Sequence, residues 1–229
     1  MTNLALALSV FLGTHLLPSI PRLRDRLISR FGKRPYLIGY GLVSTACLVW
    51  VIAAAVTAPV VFLWMPSGWQ AWITVILSPV ALFLILAGAF SVNPLSLSAR
   101  GSRVNEAGAI VAVTRHPVFW GAALWAGSHI PPNGDTRSLF LFGTLTLLAI
   151  SGFWLGDKRA RRSLGSRWDD LATRTSIVPF AAIVSGRTRL RVDMPMIAAA
   201  VASAGLTFWL LSGGHARLFG ADPIAATFY

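Results

Sequence analysis

The chain is short of charge. Only 12% of its 229 residues are charged, with eight carboxylates against twenty Lys and Arg, where a water-soluble domain carries about 25%. So few charges cannot cover a surface that faces water throughout, and the mean hydropathy of +0.66 agrees. Cysteine is nearly absent as well. Cys47 alone excludes an intramolecular disulfide framework and a Cys-rich metal site, and its place within an apolar run suits a small packing residue. The chain also lacks a phosphate-cradling glycine loop, a nucleophile with an adjacent base, a low-complexity tract and an internal repeat, which leaves hydrolase, NTPase and iron–sulfur readings unsupported.

What the chain has instead is long apolar runs. A helix that crosses roughly 30 Å of hydrocarbon takes about 20 mainly apolar residues. Six segments meet or approach that length: residues 2 to 20, 36 to 57, 70 to 92, 117 to 131, 138 to 156 and 194 to 213. The fourth is short, and the run Ala107 to Val113 before it reads as a re-entrant or interfacial piece that completes it. The expected fold is all-α: a polytopic transmembrane helical bundle of about six spans, forming a single integral membrane domain over residues 1 to 229.

Basic residues fall between these runs. Six lie between spans one and two, from Arg22 to Arg34; Arg100, Arg103 and Arg115 lie between three and four; nine follow span five, from Lys158 to Arg191. The other side holds only Arg137 and Arg217. The positive-inside rule then puts both termini on the non-cytoplasmic side, and Trp64, Trp69 and Trp72 fit an aromatic belt at the outer interface. The net charge of +12 points to anionic membrane lipids as partners and not to nucleic acid. The first basic residue, Arg22, follows the first apolar core, the reverse of a secretory signal, so the first span is expected to be retained. The expected location is a bacterial inner (cytoplasmic) membrane, crossed several times.

Ionisable side chains at membrane depth are costly; by default they face the bundle interior and mark function. His15, in Gly13-Thr14-His15-Leu16-Leu17-Pro18, and His129 are at that depth, about 10 Å and 18 Å from the basic edge at a helical rise. His116 stands at the mouth of span four in Thr114-Arg115-His116-Pro117, and His215 lies in the tail. Neutral imidazole is a common metal ligand, and two histidines from different helices can hold a haem iron axially. Trp125 and Gly121 precede His129 by four and eight residues, offering an aromatic wall and a small-residue groove on its own face; Leu8, Phe11 and Leu12 share the face of His15. Taken singly, either histidine better suits a hydrogen bond between helices; taken as a pair, the two readings stand level.

Proline at the first helical position makes His116 the cap of span four, where the helix dipole attracts anions. Arg115 adds a fork for a carboxylate or phosphate, such as a haem propionate, or else anchors the helix among headgroups. Asn93-Pro94 reads as a helix stop and Asp135 as turn chemistry. Trp168 and Asp169 read as interfacial, and Glu106 and Asp170 as balancing nearby arginines.

Thr114-Arg115-His116-Pro117-Val118-Phe119-Trp120-Gly121, with Ser128-His129 and Asn133-Gly134-Asp135, resembles the core signature of the NnrU family of membrane proteins. The resemblance continues in Gly156-Asp157-Lys158-Arg159, in Leu164 to Trp168, in Val178-Pro179-Phe180, and at the N-terminal end in His15 and Arg34-Pro35, so it covers nearly the whole chain. It implies kinship with the zeta-carotene isomerases of plants and cyanobacteria, which use haem b to isomerise a cis double bond, with axial ligands that map onto His15 and His129. It also implies, for bacterial members, a role in nitric oxide metabolism and denitrification. The substrate is then a hydrophobic polyene or nitric oxide. Arg115-His116-Pro117 with Gly121 and the later Val178-Pro179 is similar, too, to isoprenylcysteine carboxyl methyltransferases and phospholipid methyltransferases, which bind S-adenosylmethionine. There the usual glutamate pair is replaced by Asp157-Lys158-Arg159. A non-catalytic assembly factor of a respiratory complex is the third expectation.

Overall fold

The computed structural model describes residues 1–16, 20–100 and 107–229; Leu17, Pro18, Arg103 and Glu106, which entered the sequence argument, lie outside the described residues. The elements run α1 (Thr2–Leu16), α2 (Pro21–Phe31), α3 (Lys33–Thr57), α4 (Gly68–Phe90), α5 (Ile110–Val113), α6 (Pro117–Asn133), α7 (Thr136–Leu164), α8 (Arg167–Arg174), α9 (Ala181–Val184), α10 (Met194–Trp209) and α11 (His215–Phe219). The fold class is all-α, as the composition requires, with one isolated bridge between Phe62 and Asp135 among the described residues.

Helix covers part or all of each of the six apolar segments. Among the described residues four helical stretches are long and apolar enough to cross a membrane: α3, α4, α7 and Met194–Phe219, the last kinked at Ser212 and Gly213. With 15 residues in α1 and 17 in α6, the described parts of these helices reach about 22 Å and 26 Å. The run before α6 does not complete it. Ile110 to Val113 form a separate turn of helix, all four residues buried in protein, and Thr114–His116 break the path to Pro117.

The described residues group into two compact units. The first comprises Met1–Met65 and Asn133–Thr144. In it Leu4, Ala7, Leu8 and Phe11 of α1 are buried at helical spacing, one stripe of a helix, and α1 packs along α3, which buries Val51, Ala54 and Ala55. Trp50 Nε1 donates to Asn3 Oδ1 at 3.2 Å. α2 interleaves Arg22, Arg24, Arg26 and Arg30 with Leu23 and Leu27, an amphipathic pattern suited to an interface. Gly134 takes φ +64° and an added Cβ would run into the Trp64 carbonyl. Glycine is therefore required there, and its own carbonyl accepts from Leu63 N at 2.7 Å. Asp135 then accepts from the backbone and hydroxyl of Ser138, both at 2.9 Å, so it caps the first turn of α7.

The second unit comprises Pro66–Pro132 and Leu145–Tyr229. α4 opens with a reciprocal capping box, Ser67 with Gln70, and packs most extensively along α10. Asp193 caps α10 through Met196 N and also accepts from Ala109 N at 2.8 Å, tying the start of α10 to the approach to α5. α6 lies so close to α4 that a Cβ on Gly121 would stand 2.5 Å from the Ala81 carbonyl, and one on Gly88 2.7 Å from Pro117. Small residues at such crossings let membrane helices pack by van der Waals contact. Pro132 deprives the Ser128 carbonyl of its helical donor; Thr74 Oγ1 of α4 donates to it instead.

Candidate functional site

The two deep histidines are built alike. A histidine one turn after a carbonyl can turn Nδ1 back along its own helix. His15 Nδ1 lies 2.9 Å from the Phe11 carbonyl and His129 Nδ1 lies 2.6 Å from the Trp125 carbonyl. A carbonyl can only accept, so each ring is the Nδ1–H tautomer and Nε2 carries the lone pair. Both rings are half-buried. Phe11 stands 4.1 Å from the His15 ring centroid and Tyr40 6.2 Å; Trp125 stands 5.0 Å from that of His129. Ser44 Oγ donates to His15 Nε2 at 3.2 Å.

Metal-bound histidines usually donate their second nitrogen to a carbonyl or carboxylate, which sets the tautomer and the ring orientation. The donor chemistry at both positions fits an axial haem ligand. Among the described residues no group of three or more His, Cys, Asp or Glu side chains could hold a metal ion, so a protein-only cage has no candidate here. His15 belongs to the first unit and His129 to the second, and each is described within its own.

Arg115 and His116 are drawn to a residue that sequence order keeps far away. His116 is fully buried; its Nε2 lies 2.7 Å from Asp157 Oδ1 and its Nδ1 2.8 Å from Ser96 Oγ. Arg115 Nη1 donates to Asp157 Oδ2 at 2.8 Å, and Nη2 donates to the carbonyls of Ala172 and Thr175. Burial pulls the Arg115 guanidinium below its ordinary pKa, and Asp157 opposes that pull. Its plane lies 5.2 Å over Trp168, a cation–π contact.

Two glycines one turn apart on α7 make room for this. A Cβ on Gly156 would stand 2.9 Å from His116 Cε1, and one on Gly152 2.6 Å from the Phe119 ring. The segment after α8 secures the other side: Arg115 N donates to the Ser176 carbonyl, and Thr114 Oγ1 and Trp120 Nε1 both donate to that of Ile177. Asn93 clamps the same turn, donating to the Arg115 carbonyl at 3.1 Å and accepting from Leu95 N.

Several expectations change. His116 caps nothing with its side chain, because the ring is spent on Asp157 and Ser96. Arg115 is 8% exposed and pairs with a carboxylate of the chain itself. Gly121 is filled over by α4. Trp168 is 3% exposed and sits in the core, since Arg115 and Arg161 stack on it, whereas Asp169 is exposed. Asn93 is buried and does more than stop a helix. Asp170 pairs with Arg174 at 2.9 Å, as its charge suggested. Ser96, His116 and Asp157 also set a hydroxyl beside an imidazole and a carboxylate, a grouping with no counterpart in sequence order; full burial of the ring keeps it structural.

Sequence asymmetry missed Asp157 as the partner of Arg115 and His116. The signal was the pair of glycines, Gly152 and Gly156, immediately before it: on an apolar helix they mark where another element presses in.

The chain is 31% identical over 106 residues to the chloroplastic 15-cis-zeta-carotene isomerase of Zea mays, a match covering 43% of the chain and 29% of the relative. It is 32% identical over 118 residues to that of Arabidopsis thaliana, covering 48% and 32%. The matched stretch thus spans about a third of the length of these curated relatives. No solved structure matches. The family described as NnrU protein matches over residues 3–223, nearly the whole chain, and the chain belongs to that family.

Proposed function

We propose that the chain is a haem b-binding membrane enzyme of isomerase type acting on a hydrophobic polyene, with His15 and His129 as the candidate axial ligands. One observation carries this reading: both deep histidines give Nδ1–H to the carbonyl one turn back, which leaves Nε2 as the metal-binding nitrogen. The relatives' name, 15-cis-zeta-carotene isomerase, supports the reaction type. A bacterial cytoplasmic membrane, with the basic loops inward, is the setting that the charge asymmetry supports.

Bound haem would supply an iron whose ligation changes with its oxidation state. The chain's own residues do the rest. The carbonyls of Phe11 and Trp125 orient each imidazole through Nδ1. Ser44 offers His15 Nε2 a hydrogen-bond partner whenever that nitrogen is otherwise disengaged, so the ring is not left with a bare acceptor at membrane depth. Phe11 and Trp125 wall the rings and exclude water. Isomerisation moves no atom onto or off the substrate, so the reaction has no net need of a general acid or base.

Methyl transfer from S-adenosylmethionine gains no support from the geometry, because Arg115 and His116 are both engaged by Asp157.

The test is chromatographic. Haem-loaded protein in detergent, given a 15-cis polyene under reducing and oxidising conditions, is expected to return the trans isomer. His15→Ala and His129→Ala are expected to fall to background while melting at the temperature of the unaltered protein. Equal turnover in either variant would remove the assignment.

A further inference from the structure

The last polar turns of α7 carry a second feature, independent of the histidines. Trp154, Asp157, Lys158, Arg161 and Arg162 recur at helical spacing on one face of α7, and with Trp168 of α8 they line a cleft of about 320 Å³. Both carboxylate oxygens of Asp157 are already taken, one by Arg115 and one by His116. Lys158, Arg161 and Arg162 are exposed, and among the described residues no carboxylate lies within ion-pair distance of any of them. Among the described residues, the cleft therefore sets three cations that have no carboxylate partner around one acid that is already paired. Arg161 is also held in place, its guanidinium 5.6 Å over the Trp168 ring, on an indole that Arg115 stacks on as well.

Such a cleft suits an anion, and its surroundings select which one. Trp154 is 65% exposed at the end of the apolar part of a spanning helix, where indoles sit at headgroup level. Lys158 follows it by about 6 Å along the helix, within a headgroup layer of roughly 5–7 Å, and Arg161, about 10 Å along, has a side chain long enough to reach back into that layer. A guanidinium presents paired donors that match a phosphate. A ligand with a phosphate at Arg161 and Arg162 and a hydrocarbon tail beside Trp154 would cover both the charged and the apolar parts of the cleft; a free phosphate would cover only the first.

We propose that this cleft binds the phosphate headgroup of one anionic membrane lipid. The test uses the full chain, delipidated in a non-ionic detergent and titrated calorimetrically with short-chain phosphatidylglycerol, short-chain phosphatidylcholine and inorganic phosphate. The expected result is saturable one-to-one binding of phosphatidylglycerol, weakened about tenfold or more in the double variant R161Q/R162Q. The double variant R189Q/R191Q, which removes two exposed charges elsewhere, is expected to leave affinity unchanged. Equal weakening by both variants would reduce the effect to bulk charge and overturn the site. Equal affinity for inorganic phosphate or for phosphatidylcholine would overturn the lipid assignment. Arg161 and Arg162 stand outside the Arg115–Asp157 pair, and an unchanged melting temperature in R161Q/R162Q keeps the comparison valid.

Discussion

At the scale of single residues, one of the chain's few carboxylates, Asp157, stands where burial demands it. Asp157 answers two buried groups at once, Arg115 through Oδ2 and His116 through Oδ1. Breaking a buried ion pair by removing one partner costs about 3–5 kcal/mol, because the other charge is left uncompensated. Asp157→Asn is therefore expected to lower the stability of the purified protein by an amount in that range, read from thermal or denaturant unfolding in detergent. A change below about 1 kcal/mol would mean that the carbonyls of Ala172 and Thr175 satisfy Arg115 unaided. His15 and His129 answer a different demand. Each imidazole has its Nδ1 hydrogen taken by a carbonyl of its own helix, so the ring orientation is set within the helix that carries it.

At the scale of elements, close approach is set by glycine and by proline. Gly121→Ala would press a methyl to 2.5 Å from the Ala81 carbonyl of α4, and overpacking of this kind costs about 1–3 kcal/mol. The expected result is a lower melting temperature for Gly121→Ala and little change for Gly205→Ala on α10, where an added Cβ meets nothing within 4 Å. Thr74→Val would strip the hydroxyl that donates to the Ser128 carbonyl, a loss of roughly 1 kcal/mol on the scale of hydrogen bonds between membrane helices; a stabilised variant would contradict that role.

The apolar runs made the helices legible from sequence, since length and hydropathy alone decide what can cross hydrocarbon. The run before Pro117 was not, because a buried turn in protein and a re-entrant piece in lipid share the same composition. Trp168 was misread for a related reason: an indole beside basic and acidic neighbours looks interfacial until Arg115 and Arg161 are seen stacked on it. The link from His116 to Asp157 spans 41 residues, beyond any periodicity.

At the scale of the whole molecule, the sequence argument and the family membership meet in one claim. The chain is a membrane protein of the NnrU family, similar over under half its length to isomerases of a 15-cis polyene, and we read its two deep histidines as haem ligands. Polarity within apolar runs is what drew attention to His15 and His129 in the sequence, with Trp125 one turn before His129. The most direct test is the absorbance spectrum of protein purified from haem-supplied cells, recorded oxidised and reduced. The account predicts a b-type haem spectrum in the unaltered protein that is lost in His15→Ala and in His129→Ala. A colourless unaltered protein, or a spectrum that both substitutions leave intact, would contradict it.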